Sequence, residues 1–131
     1  MNLANLNVGT TLDLKLNFSI ATISEYLVAT GDDSDMWIQE SIVPPPLVSA
    51  GILAELMKQV KLPSNLMHTG QEQTAYSTVP ANSDLLASIT LVQYSNRQGA
   101  IIATFEATLV DVTQVLLFQA KIRGLVPLGL S

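Results

Sequence analysis

The stretch Pro44–Pro63, PPPLVSAGILAELMKQVKLP, limits what this chain can fold into more than any other. The three prolines end whatever precedes them, and the last fits the first turn of a helix, where a missing N–H costs nothing. From Leu47 to Ala54 every residue is apolar or small, so a helix here must be buried. Charge enters only in the last turns. Glu55 and Lys58 stand at i,i+3 spacing and Lys61 lies near the C-terminal end, where the helix dipole favours cations. Pro63 marks the stop. Such a helix, from about Leu47 to Lys61, is on the order of 22 Å long. That is too short for a membrane span, which takes about 20 apolar residues. The rest of the chain is therefore expected to wrap it on all sides.

Composition narrows the possibilities. The 131 residues suffice for one domain with a substantial core, and 48% are hydrophobic. The formal net charge is −5, with only six Lys and Arg, and these are scattered. Nucleic acid and anionic membrane surfaces are thus poor partners. With no cysteine, disulfide scaffolds, zinc–thiolate sites and cysteine nucleophiles are excluded. One histidine rules out a two-histidine metal site. The start MNLANLNVGT has neither a basic nor an apolar signal region, so a cytoplasmic protein is the expectation.

In chain order, Leu12, Leu14, Leu16 and Phe18 alternate with polar residues, the period of a half-buried strand. Ser19 offers an N-cap to a short helix carrying Ile20, Ile23 and Leu27, which Gly31 closes. The run GDDSDMWIQESIVPPP has no period and reads as a long loop. Four strands follow the central helix, over residues 71–78, 85–94, 100–110 and 115–123. Turns at Asn96–Gly99 and Asp111–Gln114 link the last three. Residues 85–94 carry Ala87, Ile89 and Leu91 on one face but Val92 and Tyr94 on the other, as if packed on both sides. In the last strand Leu116, Phe118, Ala120 and Ile122 alternate inward. The expected class is α+β: a five-stranded antiparallel sheet curled around one long buried helix.

This order of elements resembles the hot-dog fold, and three stretches resemble the MaoC-like dehydratases and R-specific enoyl-CoA hydratases. Tyr26–Asp32, YLVATGD, is similar to the Y-x-x-x-[ST]-G-D opening of the hydratase motif. VPPPLVSAGILAELM resembles the entry to the family's central helix. LPSNLMHTGQEQTAY is similar to the LP…LH-x-G-Q-E passage of the N-terminal dehydratase type. The resemblance spans nearly all of residues 1–131 and implies one MaoC-like hot-dog domain. It further implies hydration of an enoyl-CoA or dehydration of a 3-hydroxyacyl-CoA. It also implies side-by-side pairing, as a homodimer or as a heterodimer with a catalytic hot-dog subunit.

One departure bears on the chemistry. The resemblance places Asp32 at the motif's aspartate, but Trp37 stands where its histidine would be, five residues on. An indole donates a hydrogen bond and cannot shuttle protons. Asp32 then reads as a loop-capping residue, and Trp37 as packing in the space of the histidine or stacking on a ligand. The acidic run Asp32, Asp33, Asp35 lacks the glycine and distal glutamate of a calcium loop and reads as a solvated turn. His68 is open to two roles, a structural histidine at a strand start or an acid–base partner of Glu72 or Asp32. Ser49 has no nucleophile setting. Backbone N–H groups near Ser49, Ala50 and Gly51 would instead polarise a thioester carbonyl from the helix N-terminus. Two functions follow. One is a non-catalytic module that binds acyl-CoA or supports a catalytic partner, with no cofactor and no metal. The other is a hydratase, dehydratase or thioesterase with a variant site using Asp32, His68 or Glu72.

Overall fold

The computed structural model describes residues 2–128. A single 3-10 turn precedes strand β1 (Thr11–Leu16), and helices α1 (Ile20–Thr30), α2 (Met36–Gln39) and α3 (Pro45–Gln59) follow. Strands β2 (Met67–Ala75), β3 (Leu85–Arg97), β4 (Ala100–Val110) and β5 (Leu116–Pro127) complete the chain. All five strands form one antiparallel sheet in the order β1-β3-β4-β5-β2.

Local chemistry sets most boundaries. The Ser19 hydroxyl accepts the Thr22 N–H at 3.1 Å, and Gly31 closes α1 in the left-handed region at φ 72°. Gln98 (φ 52°) and Gly99 (φ 79°) form the two-residue turn between β3 and β4, as the primed hairpin turns require. The stretch expected to be one long loop holds α2 instead. That helix is a single turn without side-chain capping, too short to register as a period.

Two irregularities correct the strand reading. Pairing between β3 and β4 shifts between Leu91 and Gln93, leaving Val92 unpaired. An extra residue inverts the alternation. Before the bulge Ala87, Ile89 and Leu91 face inward, and beyond it Tyr94 lies opposite Ala103, a core residue, and packs on the core itself. The strand is therefore apolar on one face, and the apparent second face is a change of parity. A second shift lies between β4 and β5, where Leu109 pairs Phe118 and Val110 pairs Leu116. Leu117 is buried there and Leu116 is exposed, the reverse of strict alternation.

The helix α3 packs on the core face of the sheet and begins two residues earlier than expected, with Pro45 and Pro46 both in its first turn. Leu47, Val48, Ser49, Ile52 and Leu56 are buried. Leu47, Val48, Ile52 and Leu56 pack in one core with Leu14 and Leu16 of β1, Ile89 and Leu91 of β3, Phe105 and Leu109 of β4, and Phe118 of β5. The expectation of a helix covered on all sides is corrected. Pro46, Ala50, Ala54 and Met57 form an exposed stripe, Met57 being 57% exposed. Small side chains made this stripe look apolar in sequence without requiring burial.

Candidate functional site

The N-terminal half of α3 is closed by the chain itself. Pro44 is the N-cap, and its carbonyl accepts from Leu47 N at 2.9 Å and Val48 N at 3.2 Å. Pro45 and Pro46 carry no N–H, so the first turn offers no free backbone donor. Ser49, Ala50 and Gly51 lie beyond it, where N–H groups bond within the helix. The expected thioester-polarising donors at these residues are thus engaged, which corrects that reading.

Their side chains have packing roles. Ser49, only 2% exposed, donates its hydroxyl to Gln73 Oε1 of β2 at 2.6 Å, tying the sheet edge to the helix. No histidine approaches that hydroxyl: His68 bonds elsewhere, as described below. A Cβ on Gly51 would fall 2.5 Å from Phe18 Cε1 and 2.6 Å from Cζ. The close approach anticipated at Gly51 is therefore to the chain's own phenyl ring. Ala50 faces outward on the open stripe.

Asp32 and Trp37 sit in the segment that leads into α3. Asp32 follows the α1 cap, is exposed, and accepts the Ser34 N–H at 2.9 Å, a local turn bond. Trp37, in α2, is half-buried against the core. It lines a shallow groove of about 380 Å³ with Pro45, Ala75, Tyr76, Val79 and Phe118. The indole thus packs beside the start of α3.

His68 belongs to the other half. It stands in β2, opposite Gly124, where a bulge between His68 and Gly70 bends the strand, and its Nε2 lies 3.1 Å from the Gly70 carbonyl. It lines a cavity of about 520 Å³ whose walls include Leu53, Leu56, Met57 and Val60 from the end of α3 and Phe105 and Ile122 from the sheet. Neither Asp32 nor Glu72 lines this cavity. Glu72 lies further along β2, exposed, opposite Lys121 in register. Lys121 itself pairs with Glu106 at 3.5 Å. The structure therefore does not bring Asp32, His68 and Glu72 together. Asp32 belongs to the segment entering α3, while His68 lies beside the helix exit. Among the described residues no cluster of His, Asp and Glu could hold a metal ion.

The sequence reading missed the cavity. Its walls come from the 3-10 turn, α3, the following loop, β2, β4 and β5, so no single stretch announces it. One signal was present in Gly124, a glycine inside an alternating strand. A Cβ there would fall 2.8 Å from Leu66 Cδ1, and its absence lets Leu66 close over β5.

No protein-family profile matches the chain, and no curated protein matches it. Solved structures do. An R-hydratase, PhaJ1, from Pseudomonas aeruginosa superposes with a TM-score of 0.76 at 13% identity, over 96% of this chain and 85% of that one. A MaoC-like dehydratase from Rhodospirillum rubrum superposes at 0.75 with 12% identity, over 98% of each chain. The HadBC 3R-hydroxyacyl-ACP dehydratase complex from Mycobacterium tuberculosis gives 0.71 at 14% identity, over 90% of this chain and 96% of that one. These likenesses establish the hot-dog fold, the fold of MaoC-like dehydratases and R-hydratases. Among the described residues no helix is long and apolar enough to cross a membrane.

Proposed function

We propose that this chain is a MaoC-like hot-dog subunit without hydratase catalysis, which binds acyl-CoA or supports a catalytic partner of the same fold. The observation that carries this reading is Trp37, five residues after Asp32 and packed on the core, with the sole histidine at the far half of α3. Hydration needs a base for water and an acid for the alpha carbon. Each positioned group contributes typically ~10²–10⁴-fold, so loss of one leaves little turnover. A cytoplasmic setting accords with the cysteine-free sequence.

The test combines two measurements on the same protein. A trans-2-enoyl-CoA is assayed for hydration while an acyl-CoA is titrated against the emission of Trp37, the only tryptophan. A change in emission without turnover is expected for the binding module, and silence in both leaves a purely supporting subunit. Robust turnover abolished by His68→Ala or Asp32→Asn, with the fold intact, would overturn the reading in favour of a variant enzyme.

Assembly is read from the sheet edges. Edge strand β1 is six residues long and carries outward Asp13 and Lys15. Edge strand β2 runs for nine residues, almost all exposed, with Glu72 as its one acidic side chain and no lysine or proline. A long, weakly charged edge is a template for another strand. Pairing of β2 with a second hot-dog subunit, or with its own copy, would cover it. Light scattering is expected to show a dimer, and Gln71→Lys with Thr74→Lys should give monomers through like-charge repulsion across the pair.

A further inference from the structure

The sheet has an outer face, turned away from α3, whose chemistry changes from one end to the other. Along β4 the residues Ala103, Phe105, Ala107 and Leu109 belong to the core. By alternation Ile102, Thr104, Glu106, Thr108 and Val110 point outward. Strand register extends these positions into rows. Ile102 lies between Ser95 and Leu125, with Met67 beyond, and Val110 lies between Leu86 and Leu116. Met67 and Leu116 are exposed, and Ile102, Leu125, Leu86 and Val110 are half-buried. Two apolar rows therefore stand near the two ends of the face, and polar rows separate them.

Charge is divided between the same two ends. Arg123 pairs with Thr104 and Arg97 with Ala100, and no acidic residue shares the rows from Ala100 to Thr104. At the other end Asp13 is opposite Ser88, and Asp84 and Asp111 share a surface groove with Lys15, Leu86 and Val112. Two arginines leave the first end two net positive. Three aspartates against one lysine leave the second end two net negative. Among the described residues the ion pairs are Lys58–Glu55 and Lys121–Glu106, so neither Arg97 nor Asp84 is neutralised within the chain.

The geometry points to a second copy of this chain as the partner of this face, the two sheets back to back. The two-fold axis lies between the sheets and crosses the strands at Glu106. That rotation lays each row on the row equally far beyond Glu106 in the other copy. Ile102 then meets Val110, Leu125 meets Leu116, Thr104 meets Thr108, and Arg97 comes over Asp84. Each contact occurs twice, as an isologous interface requires. The Glu106–Lys121 pair at the axis is neutral as a unit. A partner of another kind would have to supply both signs of charge at the spacing this face already contains. With five strands about 4.8 Å apart and β4 residues rising about 3.4 Å each, the face covers on the order of 600 Å² per copy. A standard interface covers ~800 Å² per partner, so the contact is weak and reversible. It leaves the open backbone edge of β2 free and does not rest on the proposed function.

Sedimentation velocity of the intact protein, from about 10 µM to about 1 mM, tests the contact. The expected result is a reversible doubling of mass as concentration rises. The doubling starts from whichever unit the β2 edge has formed, so a failure of edge pairing is read separately. Arg97→Glu and Asp84→Arg should each raise the dissociation constant of the doubling at least about tenfold, since like charges then face each other. The double variant reverses both members of each pair and should restore the parent constant, which also shows that both substitutions fold. A mass constant up to about 1 mM would overturn the proposal. So would a doubling unchanged in Arg97→Glu, or a double variant no tighter than the single ones.

Discussion

The two halves of α3 use one helix in opposite ways. Between Pro45 and Gly51 the chain closes on itself: prolines remove free donors, Ser49 grips Gln73, and the Phe18 ring fills the space over Gly51. From Leu53 onward the same helix walls a cavity, with Leu53 and Met57 among its lining residues. Closure at the first half rests on a residue with no side chain. Opening at the second rests on bulky aliphatics that the sheet does not fully meet. A hot-dog helix can therefore be sealed along its first half and open at its other end.

The largest effect expected from breaking this contrast is at Phe18, which is buried against Gly51. Phe18→Ala should cost about 3–5 kcal/mol in denaturant unfolding. Met57→Ala, at the open half, should stay within about 0.5 kcal/mol, since that side chain is largely exposed. Equal losses at both positions would erase the distinction between the halves.

Gly51→Ala sharpens it. An added methyl in a helix interior gains about 1 kcal/mol of propensity, but here it must displace a buried phenyl ring, and overpacking costs about 1–3 kcal/mol. A net loss of up to about 2 kcal/mol is expected. In a Phe18→Leu background the same substitution should become neutral or stabilising, and the double-mutant cycle would measure the coupling.

The smallest effect concerns the turn joining β4 and β5, which shares a surface groove with Leu16 and Asn17, next to Phe18. The Asp111 carboxylate accepts the Thr113 hydroxyl at 2.6 Å and the Val115 and Thr113 N–H groups at 3.1 and 2.9 Å. These bonds hold its pKa below the ordinary carboxylate value, the Thr113 hydroxyl most of all. A depressed folded pKa stabilises above the unfolded value, and that stability is lost as pH falls through the folded pKa. Asp111→Asn should therefore lower Tm slightly at neutral pH, with the difference from the parent shrinking in strong acid.

The sequence by itself determined the elements and much of their order. The cap at Ser19, the stop at Gly31, the turn ending at Gly99 and the strand over residues 100–110 were all legible, because each is set by neighbours a few residues apart. The Trp37 departure was legible for the same reason, as a spacing along one segment. Tertiary structure decided the rest. Whether Val92 is paired depends on the partner strand, and that single unpaired residue turned a strand apparently apolar on two faces into one apolar on a single face. Whether Gly51 admits a ligand or a ring depended on where Phe18 arrives, 33 positions earlier in the chain. The cavity is more remote still, since Leu3, Leu53, His68, Phe105 and Ile122 meet only after the sheet has closed over the helix. Periodicity records which face of an element is apolar, and a space between elements exists only once their distances are fixed.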